Sequence, residues 1–231
     1  MKKILAMVLA LCLMFCVSAA SAEGMVDKIK EKGTLVLGTE ATYGPYEFLD
    51  DDANPIGCDI WLAQQIADEL GVELQVTDMA FDGIIDAVKT GMVDIGIAAF
   101  TVNEERAKVI DFSHEYEKSQ QLLIVKKGDA DTYTTVESLA GQKVGAQMGT
   151  IQSQLIETAL PDSELFELDT YPSLALELVN GNIAGFVCDY AVGMGMVASN
   201  DKLEVANFTF TAEEASFGKA CIIAKGNESF V

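Results

Sequence analysis

The most informative part of the chain is residues 59–99, which read DIWLAQQIADELGVELQVTDMAFDGIIDAVKTGMVDIGIAA. Apolar residues recur there at helical spacing in two segments, and a glycine follows each, at Gly71 and Gly91. With the apolar run TLVLG just upstream, the order alternates strands and helices, which implies a parallel sheet covered by helices. The predicted elements are strands over 34–38, 73–76 and 94–99 and helices over 59–70 and 81–90.

The same rhythm restarts in the second half of the chain. The chain passes between the two halves near residues 116–121 and again near 211–215, which predicts an α/β fold of two lobes on a two-strand hinge. Each lobe is expected to be a mostly parallel sheet flanked by helices. Because ligands in open α/β sheets bind outside the carboxyl ends of strands, the cleft between the lobes is the expected site. The elements predicted here are strands over 122–125, 143–146, 183–188, 203–210 and 219–224 and helices over 136–139, 152–159, 174–179 and 190–198.

The beginning of the chain has the features of an export signal. Two lysines follow the initiator methionine, residues 4–17 form an unbroken apolar run, and Ala20-Ser21-Ala22 resembles a cleavage site. The apolar run is short for a membrane span, which needs about 20 residues. We therefore predict a signal peptide over 1–22 and a periplasmic or extracellular protein. Lipid anchoring at Cys12 or Cys16 is a less favoured alternative, because a bulky residue precedes each cysteine.

The rest of the chain is expected to form lobe 1 over 23–118, lobe 2 over 119–212 and a return to lobe 1 over 213–231. Three cysteines remain after cleavage, and their spacing matches no disulfide framework. We expect no disulfide, with Cys58 and Cys221 as small core residues.

Composition narrows the function classes. The 231 residues include 15 lysines and arginines against 36 acidic residues, for a net charge of −21. Such an acidic surface repels phosphate backbones, so nucleic acid is not an expected partner. The chain has a single histidine, His114, so a Ser-His-Asp catalytic site or a histidine-rich metal site is not expected. We expect no metal and no cofactor.

Arg106 is the only arginine in the chain, and it lies just after the predicted strand that ends near Ala99. One interpretation is a surface ion pair with Glu104 or Glu105. The other is a bidentate grip on a ligand carboxylate, which lysine performs poorly.

Other polar and aromatic residues also stand at predicted strand ends. Thr150 opens a helix whose free N–H groups could bind an anion, although a simple N-cap is the commoner role. Asp189 ends a strand and could cap the next helix or accept an ammonium group. Glu40 is a third polar candidate, and Tyr43 and Phe81 are packing residues or walls of a ligand site.

Several motifs resemble those of one family, the solute-binding proteins of polar amino-acid ABC transporters, which have the type II periplasmic binding fold. The resemblance covers nearly all of residues 33–227 in order, and TVNEER at 101–106 is its most specific part. The other matching segments are GTEATYGPYEF at 38–48, GCDIW at 57–61, FDGII at 81–85, IDFS at 110–113, LAGQKVG at 139–145 and GT at 149–150.

The resemblance implies a role for each candidate residue. A ligand carboxylate would be held by the Arg106 side chain, the backbone at Thr101 and the helix start at Thr150 and Ile151. An ammonium group would be held by Asp189 and the Ala99 carbonyl. The implied aromatic walls and side-chain contacts are Tyr43, Phe81, Glu40 and Gln147.

The ligand side chain is expected to meet Glu40. A carboxylate there favours a ligand whose side chain ends in a cation, so arginine, lysine or ornithine is the favoured ligand. Cystine is an alternative ligand because similar proteins with a glutamate here also bind it, and Gln147 would suit glutamine or histidine.

The sequence departs from the family at Gln147, Cys188 and Ile151. Relatives also continue beyond the position of Val231 with a helical stretch, so lobe 1 is expected to lack some helix cover.

The resemblance implies that the protein is not an enzyme and that its partners are a free amino acid and membrane permease subunits, with the chain itself a monomer. Lobe closure around the ligand would present a surface to the permease. The alternative from another class is an enzyme like cyclohexadienyl dehydratase, which has the same fold. Its dicarboxylate substrate would want extra cations where this sequence has Glu40.

Overall fold

The computed structural model describes residues 24–211, 217–227 and 230. The predicted signal peptide and most of the second predicted crossing, 211–215, lie outside these ranges. The described helices are α1 Met25–Lys32, α2 Cys58–Leu70, α3 Phe81–Thr90, α4 Glu104–Ala107, α5 Ile151–Ala159, α6 Tyr171–Asn180 and α7 Tyr190–Ser199, with a 3-10 turn at Glu137–Leu139. The described strands are β1 Thr34–Thr39, β2 Thr42–Tyr43, β3 Glu47–Leu49, β4 Pro55–Ile56, β5 Glu73–Asp78, β6 Ile95–Gly96, β7 Ile110–Phe112, β8 Glu117–Ser119, β9 Gln121–Lys126, β10 Lys143–Gln147, β11 Glu164–Leu168, β12 Gly185–Asp189, β13 Leu203–Val205, β14 Phe217–Lys219 and β15 Ile222–Ala224.

Two five-stranded sheets define the two lobes. The sheet of lobe 1 has the order β5-β1-β6-β15-β7, and the sheet of lobe 2 has the order β11-β10-β12-β9-β13. In lobe 1 only β15 runs against the other strands, and in lobe 2 only β9 does. The prediction of two lobes with mostly parallel sheets is therefore confirmed.

The two lobes are joined by a two-stranded antiparallel ribbon. Strand β8 pairs with β14, with Phe217 opposite Ser119 and Lys219 opposite Glu117. Each ribbon strand leads directly into the one reversed strand of a lobe, β9 in lobe 2 and β15 in lobe 1. This ribbon corresponds to the predicted two-strand hinge: its first strand lies within the predicted crossing at 116–121, whereas its second strand, Phe217–Lys219, follows the predicted crossing at 211–215.

Both faces of each sheet are covered by apolar side chains. In β1, the fully buried Leu35 and Leu37 pack with Ile29 of α1 and with the alanines of α2. On the opposite face, Val36 packs with a cluster that includes Ile84 of α3. Full burial of such a side chain stabilises the fold by about 1.5–3 kcal/mol. The helices form where predicted because their apolar faces meet the sheet, and Gly71 ends α2 in a left-handed conformation, φ 71°.

Several sequence expectations need correction. The described structure adds a small antiparallel sheet, β2–β4, and strand β11, which the pattern did not indicate. The segment 203–210 is a strand only over Leu203–Val205, and 94–99 only over Ile95–Gly96, because neighbouring strands pair with just these residues. The three described cysteines are free thiols, and Cys58 is exposed at the start of α2 rather than in the core. No described helix has the length and apolar character to cross a bilayer.

Candidate functional site

A small cavity of about 20 Å³ lies between the lobes, so the lobes are closed on each other in this structure. It is bounded by the carboxyl ends of β1 and β12 and by the start of α5. All ten residues selected from the sequence line it, and three residues not selected line it as well. The lining residues are Glu40, Tyr43, Glu47, Phe81, Ala98, Ala99, Thr101, Arg106, Gln147, Thr150, Ile151, Gln152 and Asp189.

Arg106 is held in the wall of this cavity by the short helix α4. Asn103 caps that helix by accepting a hydrogen bond from the Arg106 backbone N–H at 2.8 Å. The guanidinium donates to the Thr101 carbonyl at 3.0 Å and to the Gly149 carbonyl, across the cleft, at 3.1 Å. Its carbon lies 5.5 Å from the centroid of the Phe81 ring. These contacts fix the plane of the guanidinium.

The charge of Arg106 has no carboxylate counterpart in the described part of the chain. Arg106 is 8% exposed, and the two atoms that accept hydrogen bonds from its guanidinium are neutral carbonyl oxygens. The alternative of a surface ion pair is not what the structure shows, because Glu105 pairs with Lys108 instead. Burial lowers the pKa of Arg106 to about 10, so the group stays charged at neutral pH. The cavity therefore presents a cation that an anionic ligand group would neutralise.

The start of helix α5 forms a second polar edge beside Arg106. Thr150 is the N-cap: its hydroxyl accepts from the Ser153 N–H at 3.4 Å and donates to the Gln147 carbonyl at 2.6 Å. The hydroxyl is therefore occupied, and the remaining donors are the free N–H groups of the first turn, which begins at the buried Ile151. Gly149 precedes the cap with φ 76°, and a Cβ at that position would lie 2.9 Å from Cβ of Asp82 in lobe 1.

Glu40 lies on the lobe 1 side of the cavity and is paired with the opposite lobe. Its two oxygens accept hydrogen bonds from the Thr42 hydroxyl at 2.6 Å and from the Gln147 amide at 3.1 Å. Burial raises the pKa of Glu40 above its ordinary value. The same Gln147 amide also donates to the Asp169 carbonyl at 2.7 Å, so both of its N–H groups are used. Gln147 thus positions Glu40 in this arrangement.

Asp189 ends β12 and is surrounded by donors. Its carboxylate accepts from the Tyr43 hydroxyl at 2.6 Å and from the Gln121 amide at 2.8 Å, and the Lys219 ammonium lies 2.7 Å away. The side chain makes no capping hydrogen bond to α7, so the capping alternative is not what the structure shows. Sequence reasoning missed Lys219 because it stands in an apolar strand segment, where a lone lysine usually faces solvent.

The two selected aromatic residues differ in their surroundings. The Tyr43 ring is buried and packs 4.9 Å from the Tyr171 ring of lobe 2. The Phe81 ring is partly buried and stacks 4.7 Å from the Phe100 ring. Burial raises the pKa of the Tyr43 hydroxyl well above its ordinary value, so that group donates to Asp189 as a neutral hydroxyl.

A further carboxyl pair lies behind the cavity on the lobe 1 side. Glu47 lines the cavity and is 1% exposed. Asp59 accepts from the Ala99 N–H at 2.7 Å and from the Tyr116 hydroxyl at 2.9 Å. Burial raises the pKa of Asp59, and burial together with the nearby Asp59 raises the pKa of Glu47 well above its usual range. No described cluster of His, Cys, Asp and Glu side chains is arranged to hold a metal ion.

Comparison with known proteins places this geometry in a family. The L-cystine-binding protein TcyJ of Escherichia coli strain K12 is 32% identical over 226 residues, which cover 97% of this chain and 84% of that protein. The amino acid ABC transporter substrate-binding protein AbpA of Streptococcus pneumoniae, solved bound to L-arginine, is 35% identical with a TM-score of 0.85, over 88% of this chain and 86% of that one. The ancestral amino acid-binding protein AncCDT-1, a precursor of cyclohexadienyl dehydratase, is 32% identical with a TM-score of 0.81, over 88% of this chain and 87% of that one.

The family resemblance seen in the motifs is confirmed at the level of the whole chain. Residues 35–228 match the bacterial extracellular solute-binding proteins, family 3. The relatives agree with that match, because the amino-acid-binding proteins TcyJ and AbpA match 97% and 88% of this chain. The protein belongs to family 3 of the bacterial extracellular solute-binding proteins.

Proposed function

We propose that the protein binds a free amino acid in the cavity between its lobes and delivers it to the permease of an ABC importer. The observation that carries this proposal is Arg106, a buried cation with no carboxylate partner in the described chain, at the wall of the cavity between the lobes. A guanidinium has five N–H donors in a planar fork, which suits a carboxylate held by two hydrogen bonds. The neighbouring N–H groups of α5 add donors to the same side.

Binding would be coupled to closure of the lobes. Among the described residues, three residue pairs are hydrogen-bonded across the cleft, and each joins a cavity-lining residue of lobe 1 to a residue of lobe 2. An open arrangement would break them, so a ligand that fills the cavity stabilises the closed arrangement through contacts with both lobes. The crossing bonds are Tyr43 to Asp189, Gln147 to Glu40 and Arg106 to Gly149.

A basic amino acid, namely arginine, lysine or ornithine, is the favoured ligand. Glu40 is a buried carboxylate whose hydrogen-bond donors are neutral groups, so a cationic side-chain tip would offset the cost of its burial. Cystine, glutamine and histidine are the alternatives within the same family. A cystine ligand would place a second ammonium group near Glu40, and a neutral amide would instead compete with Gln147 for the carboxylate.

We propose no catalytic role. A dehydratase that acts on a dicarboxylate would need a second cation facing the cavity. The other buried cation near it, Lys219, does not line the cavity and pairs with Asp189. The relatives reported above are described by their binding, which supports a transport role.

Export by a cleaved signal peptide over residues 1–22 belongs to the same proposal. The n-region, apolar run and Ala20-Ser21-Ala22 support it. Intact-mass analysis of the exported protein tests it: cleavage after Ala22 gives a chain that begins at Glu23, whereas a lipid adduct on a cysteine would contradict it. A monomer is expected, and light scattering of the same sample measures it.

A thermal-shift screen tests the proposed ligand class. The panel contains the twenty amino acids, ornithine and cystine. A ligand at 100 times its dissociation constant stabilises the protein by about 2.7 kcal/mol. For a chain of this size that corresponds to a rise in melting temperature of roughly 5–10 °C. A shift with a basic amino acid supports the proposal. Shifts with glutamate or aspartate alone would overturn the role of Glu40, and no shift with any compound would overturn amino-acid binding.

A further inference from the structure

Lys219 is a buried lysine within the wall that supports the cavity. Its residue is 0% exposed, and its ammonium lies 2.7 Å from Asp189 Oδ2 and 5.0 Å from the centroid of the Tyr46 ring. A buried ammonium is costly unless a counter-charge and a polarisable surface compensate it. The structure provides both, so Lys219 and Asp189 form a buried ion pair.

The hinge holds this ion pair in place. Lys219 is the last residue of β14, where its backbone is bridged to Thr101 of lobe 1 and pairs with Glu117 of β8. Asp189 is paired in the sheet with Gln121, which follows β8 by two residues. Because both partners are anchored next to the ribbon, we expect opening of the lobes to displace them little relative to each other.

The Asp189 carboxylate, which a ligand ammonium would use, is already paired with a cation within the protein. Oδ2 meets the Lys219 ammonium at 2.7 Å and accepts from Tyr43 at 2.6 Å and from Gln152 at 3.5 Å. Oδ1 accepts from Gln121 at 2.8 Å. Three of the carboxylate's about four acceptor positions are hydrogen-bonded, and the Lys219 ammonium, which makes no hydrogen bond within the described residues, acts on Asp189 through its charge. The negative charge is neutralised from inside the protein.

We propose that Lys219 is a specificity-determining residue whose ammonium makes the amino-group subsite electrically neutral, so that the site accepts a carboxylic acid without an α-ammonium nearly as well as the matching amino acid. This inference rests on the proposed function only in that Arg106 binds the carboxylate. The ligand class becomes wider than amino acids: it includes des-amino, hydroxy and oxo acids with the same side chain.

The expected size of the effect follows from the value of a charged hydrogen bond. An ammonium on an otherwise unpaired buried carboxylate improves affinity on the order of 10- to 100-fold. With Lys219 present, we expect the amino acid and its des-amino analogue to differ by less than about fivefold. In Lys219→Met the ligand ammonium would become the cationic partner of Asp189, and the preference for the amino acid should widen by at least about tenfold.

Isothermal titration calorimetry with matched ligand pairs tests the inference. The pairs are L-arginine with 5-guanidinopentanoate and L-glutamine with glutaramate, and the members of each pair differ only in the α-ammonium group. The proteins are the wild type, Lys219→Met and the control Lys225→Met, which removes an exposed lysine paired with Asp111 in the same C-terminal segment. Circular dichroism checks folding, and Lys219→Gln, which keeps an N–H donor without the charge, replaces Lys219→Met if that variant does not fold.

The outcomes separate this inference from the proposed function. A small preference in the wild type that widens in Lys219→Met but not in Lys225→Met supports it. Preference for the amino acid by more than about fivefold in the wild type, or no widening in the variant, would overturn the inference and leave amino-acid binding intact. Binding of a des-amino acid without its amino acid would overturn both, because the inference expects the two members of a pair to bind with similar affinity. Binding of neither member of any pair would overturn both.

Discussion

Replacement of Arg106 with lysine keeps a positive charge at the cavity wall but removes the planar fork. In the structure, two of the guanidinium N–H groups are used on the Thr101 and Gly149 carbonyls, which leaves three for a ligand. Lysine has three donors on a single nitrogen, so it cannot keep both protein contacts and also hold a carboxylate through two hydrogen bonds. We therefore expect loss of ligand binding with little change in the fold.

The magnitude follows from the contacts removed. Each hydrogen bond to a charged group contributes about 1.5–3 kcal/mol, so the loss of two from the ligand complex costs roughly 3–6 kcal/mol. That loss corresponds to a fall in affinity of about 10²- to 10⁴-fold. Titration calorimetry with the ligand identified by the thermal screen measures it, and urea unfolding of the ligand-free protein checks that the fold persists.

A matched control is available two residues along the chain. Lys108 is an exposed cation that pairs with Glu105 and does not line the cavity. Lys108→Met removes a charge from the same segment, and we expect its affinity to stay within about threefold of wild type because exposed ion pairs contribute little. An Arg106→Lys protein that is folded and binds within threefold of wild type would refute the assignment of Arg106 as the carboxylate clamp.

Three further results are expected. Glu40→Gln should lower the affinity for a basic ligand by about tenfold or more. Because burial raises the pKa of Glu40, the wild-type affinity for that ligand should begin to fall at a higher pH, as the pH decreases, than it would with an ordinary glutamate. Calorimetry from pH 5 to 8 checks both expectations, and a pH-independent wild-type affinity would contradict the second. Glu47 binds its proton more tightly in the folded protein than in the unfolded chain, so its contribution to stability falls as the pH rises from about 4.5 towards the raised pKa of the folded state. Glu47→Gln should flatten this decline in the free energy of unfolding, measured with urea at several pH values. An unchanged slope would show that another group causes the decline. Ile84→Ala changes a fully buried position and should lower the free energy of unfolding by about 2–5 kcal/mol. Met92→Ala changes an exposed position and should alter it by less than about 0.5 kcal/mol. Equal effects in urea unfolding would contradict the packing described for α3.

The elements that sequence reasoning placed well are those whose signal is local. Helices α2 and α3 were predicted within a residue of their observed bounds, because apolar spacing and a following glycine both act within a single element. The same reasoning failed for β11, whose five residues lack clear alternation and become a strand because β10 offers an edge to pair with. The strand near residue 95 is shorter than predicted for a related reason, since only two of its residues pair with β1.

The sequence indicated residues of the candidate site but not the residues that pack against them or pair with them. All ten selected residues lie around one cavity, which follows from their positions at strand ends and helix starts. Glu47 and Gln152 were missed because their burial depends on the packing of α5 and of the small β2–β4 sheet. Cys58 was misplaced in the core because its position at the first turn of α2 leaves it exposed.

Local sequence patterns and tertiary packing determine different properties of this protein. The alternation of elements, the lone arginine after a strand end and the export-like beginning are local properties, and they can be read without knowing which strands pair. The neutralisation of Asp189 by Lys219 is not local: the two residues are 30 positions apart, and they meet because the ribbon and the lobe 2 sheet converge at the hinge. Burial removes the competing water, so the energetic weight of that ion pair depends on the folded environment and cannot be inferred from the residue types alone.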